Sequence, residues 1–198
     1  MSVIIRTVSP ALGGYDEKEI RRYMGAGYSD GEFDALIGSC IDEAESRLSS
    51  RACYAIFDIA VRDGAVDFGF ATVESKALAK NLCGCERAVI FGATVGIGLD
   101  RLIALYGRTE PARALCLQAL GAERIEALCD ALQESIRAEG ITLRPRFSPG
   151  YGDLPLEFQR DIFRVLDCPR RIGLTLGDSL LMSPTKSVTA IVGIGKEE

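Results

Sequence analysis

The residues best placed to do chemistry lie in Arg146-Phe-Ser-Pro-Gly-Tyr-Gly-Asp-Leu-Pro155, directly after a long helical stretch. Arg146 supplies a planar guanidinium fork that matches a carboxylate. Tyr151 supplies a phenol and a ring face that can border a cation. Between them, Pro149 fixes its own φ, and Gly150 can take the positive φ that the third position of a type II turn requires. The turn would hold Arg146 and Tyr151 in a fixed relation, suited to a small zwitterion that also carries a cation. The same residues also read as a surface turn with an arginine salt bridge and a half-buried tyrosine. Upstream, Glu126 and Asp130 stand four residues apart and share one helix face. They read either as partners for a ligand's ammonium or ribose hydroxyls, or as a solvated acidic face. Asp153 can touch a ligand or cap a helix beginning near Leu156.

The pattern Arg146-x-x-x-Gly150-Tyr151-x-x-x-Pro155 resembles the signature of the activation domain of cobalamin-dependent methionine synthase. The resemblance continues in order through Ile172-Gly-Leu-Thr-Leu, Ser179-x-x-Met182-x-Pro184 and Ser187-Val188, and takes in the helix 124–134, so it covers roughly residues 120–192. It implies a curved α+β domain on a twisted antiparallel sheet, and S-adenosylmethionine bound by Arg146, Phe147, Gly150 and Tyr151. Glu126 falls where the family carries its acidic ligand residue, with Asp130 the alternative one turn on. Ser179, Met182 and Pro184 match the family pattern; Ser179 reads as a strand residue facing the cleft, Met182 as packing, and Lys186 as a solvated charge or one at the cleft rim. The implied role is that of an activation subunit supporting reductive remethylation of cob(II)alamin in methionine synthase, within methionine biosynthesis. Cobalamin would be held by the catalytic, cobalamin-binding partner, and the electron would come from a donor such as a flavodoxin or ferredoxin. Two departures bear on the ligand. The family's domain runs on to a ligand-holding tyrosine beyond the equivalent of Glu198, and its N-terminal ligand-binding aspartate finds no clear counterpart.

Composition narrows the classes. Formal charge −5, with 23 basic residues scattered among 28 acidic ones, argues against a surface that tracks nucleic acid. No apolar segment reaches membrane-spanning length, and Met-Ser-Val-Ile-Ile-Arg lacks a signal-peptide pattern, so a cytoplasmic protein is expected. The absence of histidine excludes a Ser-His-Asp triad, a His-ligated zinc and a His ligand to cobalt from this chain. The odd count of seven cysteines favours free thiols, with Cys53, Cys116 and Cys129 as small core residues and Cys83-Gly-Cys85 as a structural pair rather than a metal site.

Two other readings compete. A binding or assembly protein could keep the fold and serve another corrinoid methyltransferase. A Rossmann-type methyltransferase is suggested by glycines 92, 96 and 98, after an apolar strand and before a helix. Their spacing departs from Gly-x-Gly-x-x-Gly, and the following 30 or so residues read as helix, so a tight structural turn is expected instead.

The elements that must position these residues follow from periodicity and end signals. Helices are expected over 15–25, capped by Asp16 and ended by Gly25, and from Ser29 or Asp30 to about Ser49. Another is expected over 75–82, then 99–106, then a long one from Pro111 to Glu139 with Gly121 as the one point where it could break. Helical turns over 156–166 and 169–173 follow the loop. Strands are expected over 3–8, 53–61, 65–72, 86–94, 174–182 and 187–194, with Arg62-Asp-Gly64 as a hairpin turn. Hairpins with irregularly placed helices imply α+β, a twisted antiparallel sheet flanked by long helices, in one domain over 1–198.

Overall fold

A computed structural model describes residues 3–25 and 31–195. Its frame is an antiparallel sheet ordered β1-β2-β6-β9, made of β1 (Arg6–Val8), β2 (Arg51–Asp58), β6 (Arg87–Thr94) and β9 (Ser187–Ile194). Leu143 and Phe147 bridge to Ile194 and Ile191, so the chain leading into the loop lies along the outer edge of β9. Pleating sends Ala52, Tyr54, Val89, Phe91, Ala190 and Val192 to one face, against α1 (Glu17–Met24), α2 (Gly31–Glu45), α4 (Ile97–Tyr106) and α5 (Pro111–Arg137). It sends Cys53, Ala55, Phe57, Ala88, Ile90 and Ile191 to the other face, against α3 (Lys76–Asn81), α6 (Gln159–Leu166) and α7 (Cys168–Ile172). Because both faces are covered, the central strands read as unbroken apolar runs rather than as alternation.

The small elements differ from the sequence expectations in instructive ways. The run expected over 53–61 is two strands: β2 ends at Asp58, and β3 (Ala60–Arg62) pairs with β4 (Ala65–Asp67) in a second sheet completed by β5 (Thr72–Glu74). Asp63 and Gly64 both take positive φ, as a type I′ hairpin turn requires. The run expected over 174–182 is not one strand. It folds back on itself as β7 (Thr175–Leu176) and β8 (Met182–Ser183), because Gly177 N–H bonds to the Leu181 carbonyl and closes a turn. The start expected for the second helix, at Ser29 or Asp30, lies outside the described residues. That helix ends at Glu45, short of Ser49.

α5 runs unbroken through Gly121. A Cβ there would stand 2.5 Å from Leu99 Cδ2 and 2.8 Å from Lys186 Cγ, so glycine lets α4 and the start of β9 approach the helix closely. The glycines at 96 and 98 have the same explanation. A Cβ on Gly98 would lie 2.2 Å from the Arg47 carbonyl oxygen, and Gly96 (φ +90°) presses on Ser49. β6 is antiparallel to both neighbours, so no parallel crossover forms a nucleotide cradle here.

Candidate functional site

The middle of α5 presents charged residues in two adjacent groups. Deep in the packing, Arg124 and Glu123 form an ion pair with side chains only 3% and 6% exposed. Arg124 also donates to the carbonyls of Gly13 and Gly14 and lies 4.1 Å from the Tyr15 ring centroid, while Glu123 accepts from the Asp16 backbone N–H. This pair therefore fixes the entry to α1. One turn on, Glu126 and Asp130 reach the surface and meet Arg146. Arg146 Nη1 donates to Asp130 Oδ1 at 2.5 Å, and Nη2 donates to Glu126 Oε2. Burial alone would lower the Arg146 pKa, but its two carboxylate partners outweigh that and raise it, so the guanidinium stays charged. Behind the cluster, burial pushes the Cys129 thiol up to about 12, which leaves it protonated and poorly nucleophilic.

The loop carrying Arg146 is held at several points. Phe147 is buried in the core beneath β9 and exchanges both backbone hydrogen bonds with Ile191. Tyr151 N–H bonds to the Ser148 carbonyl at 3.1 Å across Pro149 and Gly150, and Gly150 has φ +87°, the turn geometry expected from the sequence. Leu154 is buried. Asp153 neither caps the helical turn at Leu156 nor lies free. Its carboxylate accepts from Ser75 Oγ at 2.5 Å and from the N–H groups of Lys76 and Ala77, so it caps α3 together with Ser75. The Ser75 hydroxyl, then those backbone donors, hold the Asp153 carboxyl below the usual carboxylate range despite the opposing effect of desolvation. On this fixed base Tyr151 stands 70% exposed, its ring edge-on to Phe147 at 5.4 Å.

The structure thus brings together Arg146, Glu126 and Asp130. Phe147, Gly150 and Tyr151 follow Arg146 in the same loop, but Phe147 packs into the core on the opposite face of the sheet and Tyr151 rests edge-on against it. Ser179 is not part of this group. It lies exposed in the turn between β7 and β8, where Arg160 of α6 donates to the Asp178 carbonyl, and makes no hydrogen bond to the cluster. The expectation of a strand residue there fails because the segment turns back at Gly177. Lys186 is half-buried against Gly121, and desolvation lowers its pKa against the pull of Asp100. Sequence reasoning missed the approach of α1: Asp16, Glu19, Arg22 and Tyr23 form the other wall of a groove of ≈ 440 Å³ that Glu126 and Asp130 line from α5. The only local signal was Asp16, legible as a helix cap and no more; it does cap α1, accepting from Lys18 and Glu19 N–H. Among the described residues no cluster of three or more His, Cys, Asp or Glu could hold a metal ion, and no helix is long and apolar enough to cross a membrane.

These features define a class: an α+β protein with an antiparallel sheet covered on both faces, carrying a rigid arginine loop clasped to the acidic face of its longest helix. No family model matches the sequence, and no curated protein matches it. A solved structure with this fold is the crystal structure of the MetH reactivation domain bound to AdoHcy, which superposes with a TM-score of 0.70 over 99% of this chain and 80% of that one. The chain has that domain's fold. At 15% identity the likeness concerns the fold alone.

Proposed function

We propose that this protein is an S-adenosylmethionine-binding activation subunit that supports the reductive remethylation of cob(II)alamin in a cobalamin-dependent methionine synthase. The observation that carries the reading is the coincidence of two independent things. The fold is that of a domain crystallised with AdoHcy, and Arg146, at the head of the signature loop, is clasped to Glu126 and Asp130 on α5. The residues fit such a ligand: Arg146 complements its carboxylate, Glu126 its ammonium, and the exposed Tyr151 offers a ring to its cation or base. When bound, S-adenosylmethionine would supply an electrophilic methyl group to a partner's corrinoid that has taken one electron from the donor, and would leave as S-adenosylhomocysteine. This chain binds and orients, and contributes no acid–base residue. Its partners would be the cobalamin-binding catalytic subunit and a one-electron donor such as a flavodoxin or ferredoxin, met transiently in the cytoplasm.

A second reading, an assembly protein that keeps the fold without the ligand, is favoured by one observation: both terminal nitrogens of Arg146 already have carboxylate partners. Titration calorimetry with S-adenosylmethionine and S-adenosylhomocysteine separates the two. Binding is expected for the first reading and none for the second. The activation role itself is tested by following the cob(II)alamin spectrum of a cobalamin-loaded methionine synthase with S-adenosylmethionine and reductant, with and without this protein. Equal rates of recovery would remove the role.

A further inference from the structure

We infer that Asp130 is a built-in stand-in for the carboxylate of the ligand, so that the ligand enters by exchanging partners at Arg146 rather than by meeting a free guanidinium. This rests on the proposed S-adenosylmethionine-binding function and assigns Asp130 a different part in it, as competitor rather than contact.

The argument starts from the inequality of the two carboxylates. Asp130 reaches Arg146 through one oxygen and one nitrogen, and its side chain is 65% exposed; Glu126 is 46% exposed and Arg146 25%. An exposed, single-point ion pair shifts an equilibrium by about fivefold at most. A ligand carboxylate can take the fork of the guanidinium with two parallel bonds, a stronger and more directional arrangement. Releasing Asp130 into water costs little because it is mostly hydrated already. Releasing Glu126 would cost more because it is less exposed; both carboxylates line the groove shared with α1, where a ligand's ammonium can pair with Glu126. The charge count agrees: two carboxylates against one guanidinium leave the cluster at a formal −1, so a ligand that takes Arg146 finds two anionic groups for its cationic end. Asp130 keeps Arg146 oriented and satisfied between ligands, and lowers the affinity by the strength of the pair it makes.

Asp130→Asn removes the competing charge on an exposed helix face and leaves α5 intact. The probes are S-adenosylhomocysteine, which carries the carboxylate, and 5′-methylthioadenosine, which carries neither carboxylate nor ammonium. Asp130→Asn is expected to bind S-adenosylhomocysteine about two- to fivefold more tightly than wild type, with methylthioadenosine unchanged. In an Arg146→Ala background the same substitution should have no effect on either probe. Weaker binding of S-adenosylhomocysteine to Asp130→Asn would make Asp130 a direct ligand contact and overturn the inference. So would unchanged binding, or an equal gain for methylthioadenosine. Failure of the wild type to bind either probe would instead remove the proposed function, and the exchange with it.

Discussion

Two arginine–carboxylate groups project from the same helix within a few residues of each other, and they differ in almost everything except chemistry. Glu123–Arg124 is nearly sealed from water, and every partner it has belongs to the chain: two carbonyls, one backbone N–H and a tyrosine ring. Glu126–Asp130–Arg146 is open to solvent, and its arginine keeps N–H groups beyond those given to Asp130 and Glu126. A buried pair must be satisfied internally or the fold loses several kcal/mol; an exposed pair gains little and gives up its partner easily. The first is structure and the second is suited to a ligand. Residue type alone does not separate them.

The largest effect that would sharpen this contrast is expected at the buried pair. Arg124→Ala leaves Glu123 charged and unpaired, along with two carbonyls, and should destabilise the protein by about 3–5 kcal/mol. In a domain of this size that lowers the melting temperature by roughly 2–4 °C for each kcal/mol, readable by calorimetry or circular dichroism. A loss no larger than that of a surface substitution would erase the distinction.

At the exposed group the balance should reverse. Arg146→Ala is expected to weaken S-adenosylmethionine binding by about 1.5–3 kcal/mol, the range of charge-assisted hydrogen bonds, while thermal stability moves little. Retained affinity in a folded Arg146→Ala protein would remove Arg146 from the ligand site.

A third position on α5 tests the packing that seats both groups. Alanine at an exposed helical glycine gains about 1 kcal/mol of helix propensity. At Gly121 the new Cβ meets Leu99 at 2.5 Å and Lys186 at 2.8 Å, and overpacking of this kind costs about 1–3 kcal/mol. Gly121→Ala should therefore be destabilising overall, by chemical denaturation, and a stabilised variant would show that the approach of α4 is soft.

The smallest effect is one of pH, at the far anchor of the loop. Bonds from Ser75, Lys76 and Ala77 hold the Asp153 carboxyl below its ordinary range. A depressed carboxylate contributes stability that is present above its unfolded pKa of about 3.9 and lost as pH falls through the folded value. The melting temperature of wild type should fall more steeply than that of Asp153→Asn on acidification below about pH 4. Parallel curves would mean that the Asp153 charge does not support the cap.

Local chemistry was legible where the physics is local. Asp16 and Gly25 mark the ends of α1, Ser75 starts α3, Asp63-Gly64 turns a hairpin, and Pro149-Gly150 sets a turn, because each acts through its own φ or through hydrogen bonds a few residues away. The four-residue spacing that puts Glu126 and Asp130 on one face was legible for the same reason. What the sequence could not show is which side of the molecule each contact serves. Asp153 looked like a cap for the turn that follows it and instead caps a helix 77 residues earlier in the chain. The segment over 174–182 had the composition of a strand, yet its turn at Gly177 leaves Ser179 in an exposed turn rather than in a strand. Glu123 and Glu126 are the same residue type three positions apart, a little less than one turn of helix. Only the packing of α1 and the Gly13-Gly14 carbonyls against α5 decides that one is nearly sealed from water, while the other stands half exposed. Burial is a property of distant segments brought together, and burial sets what a charge is worth.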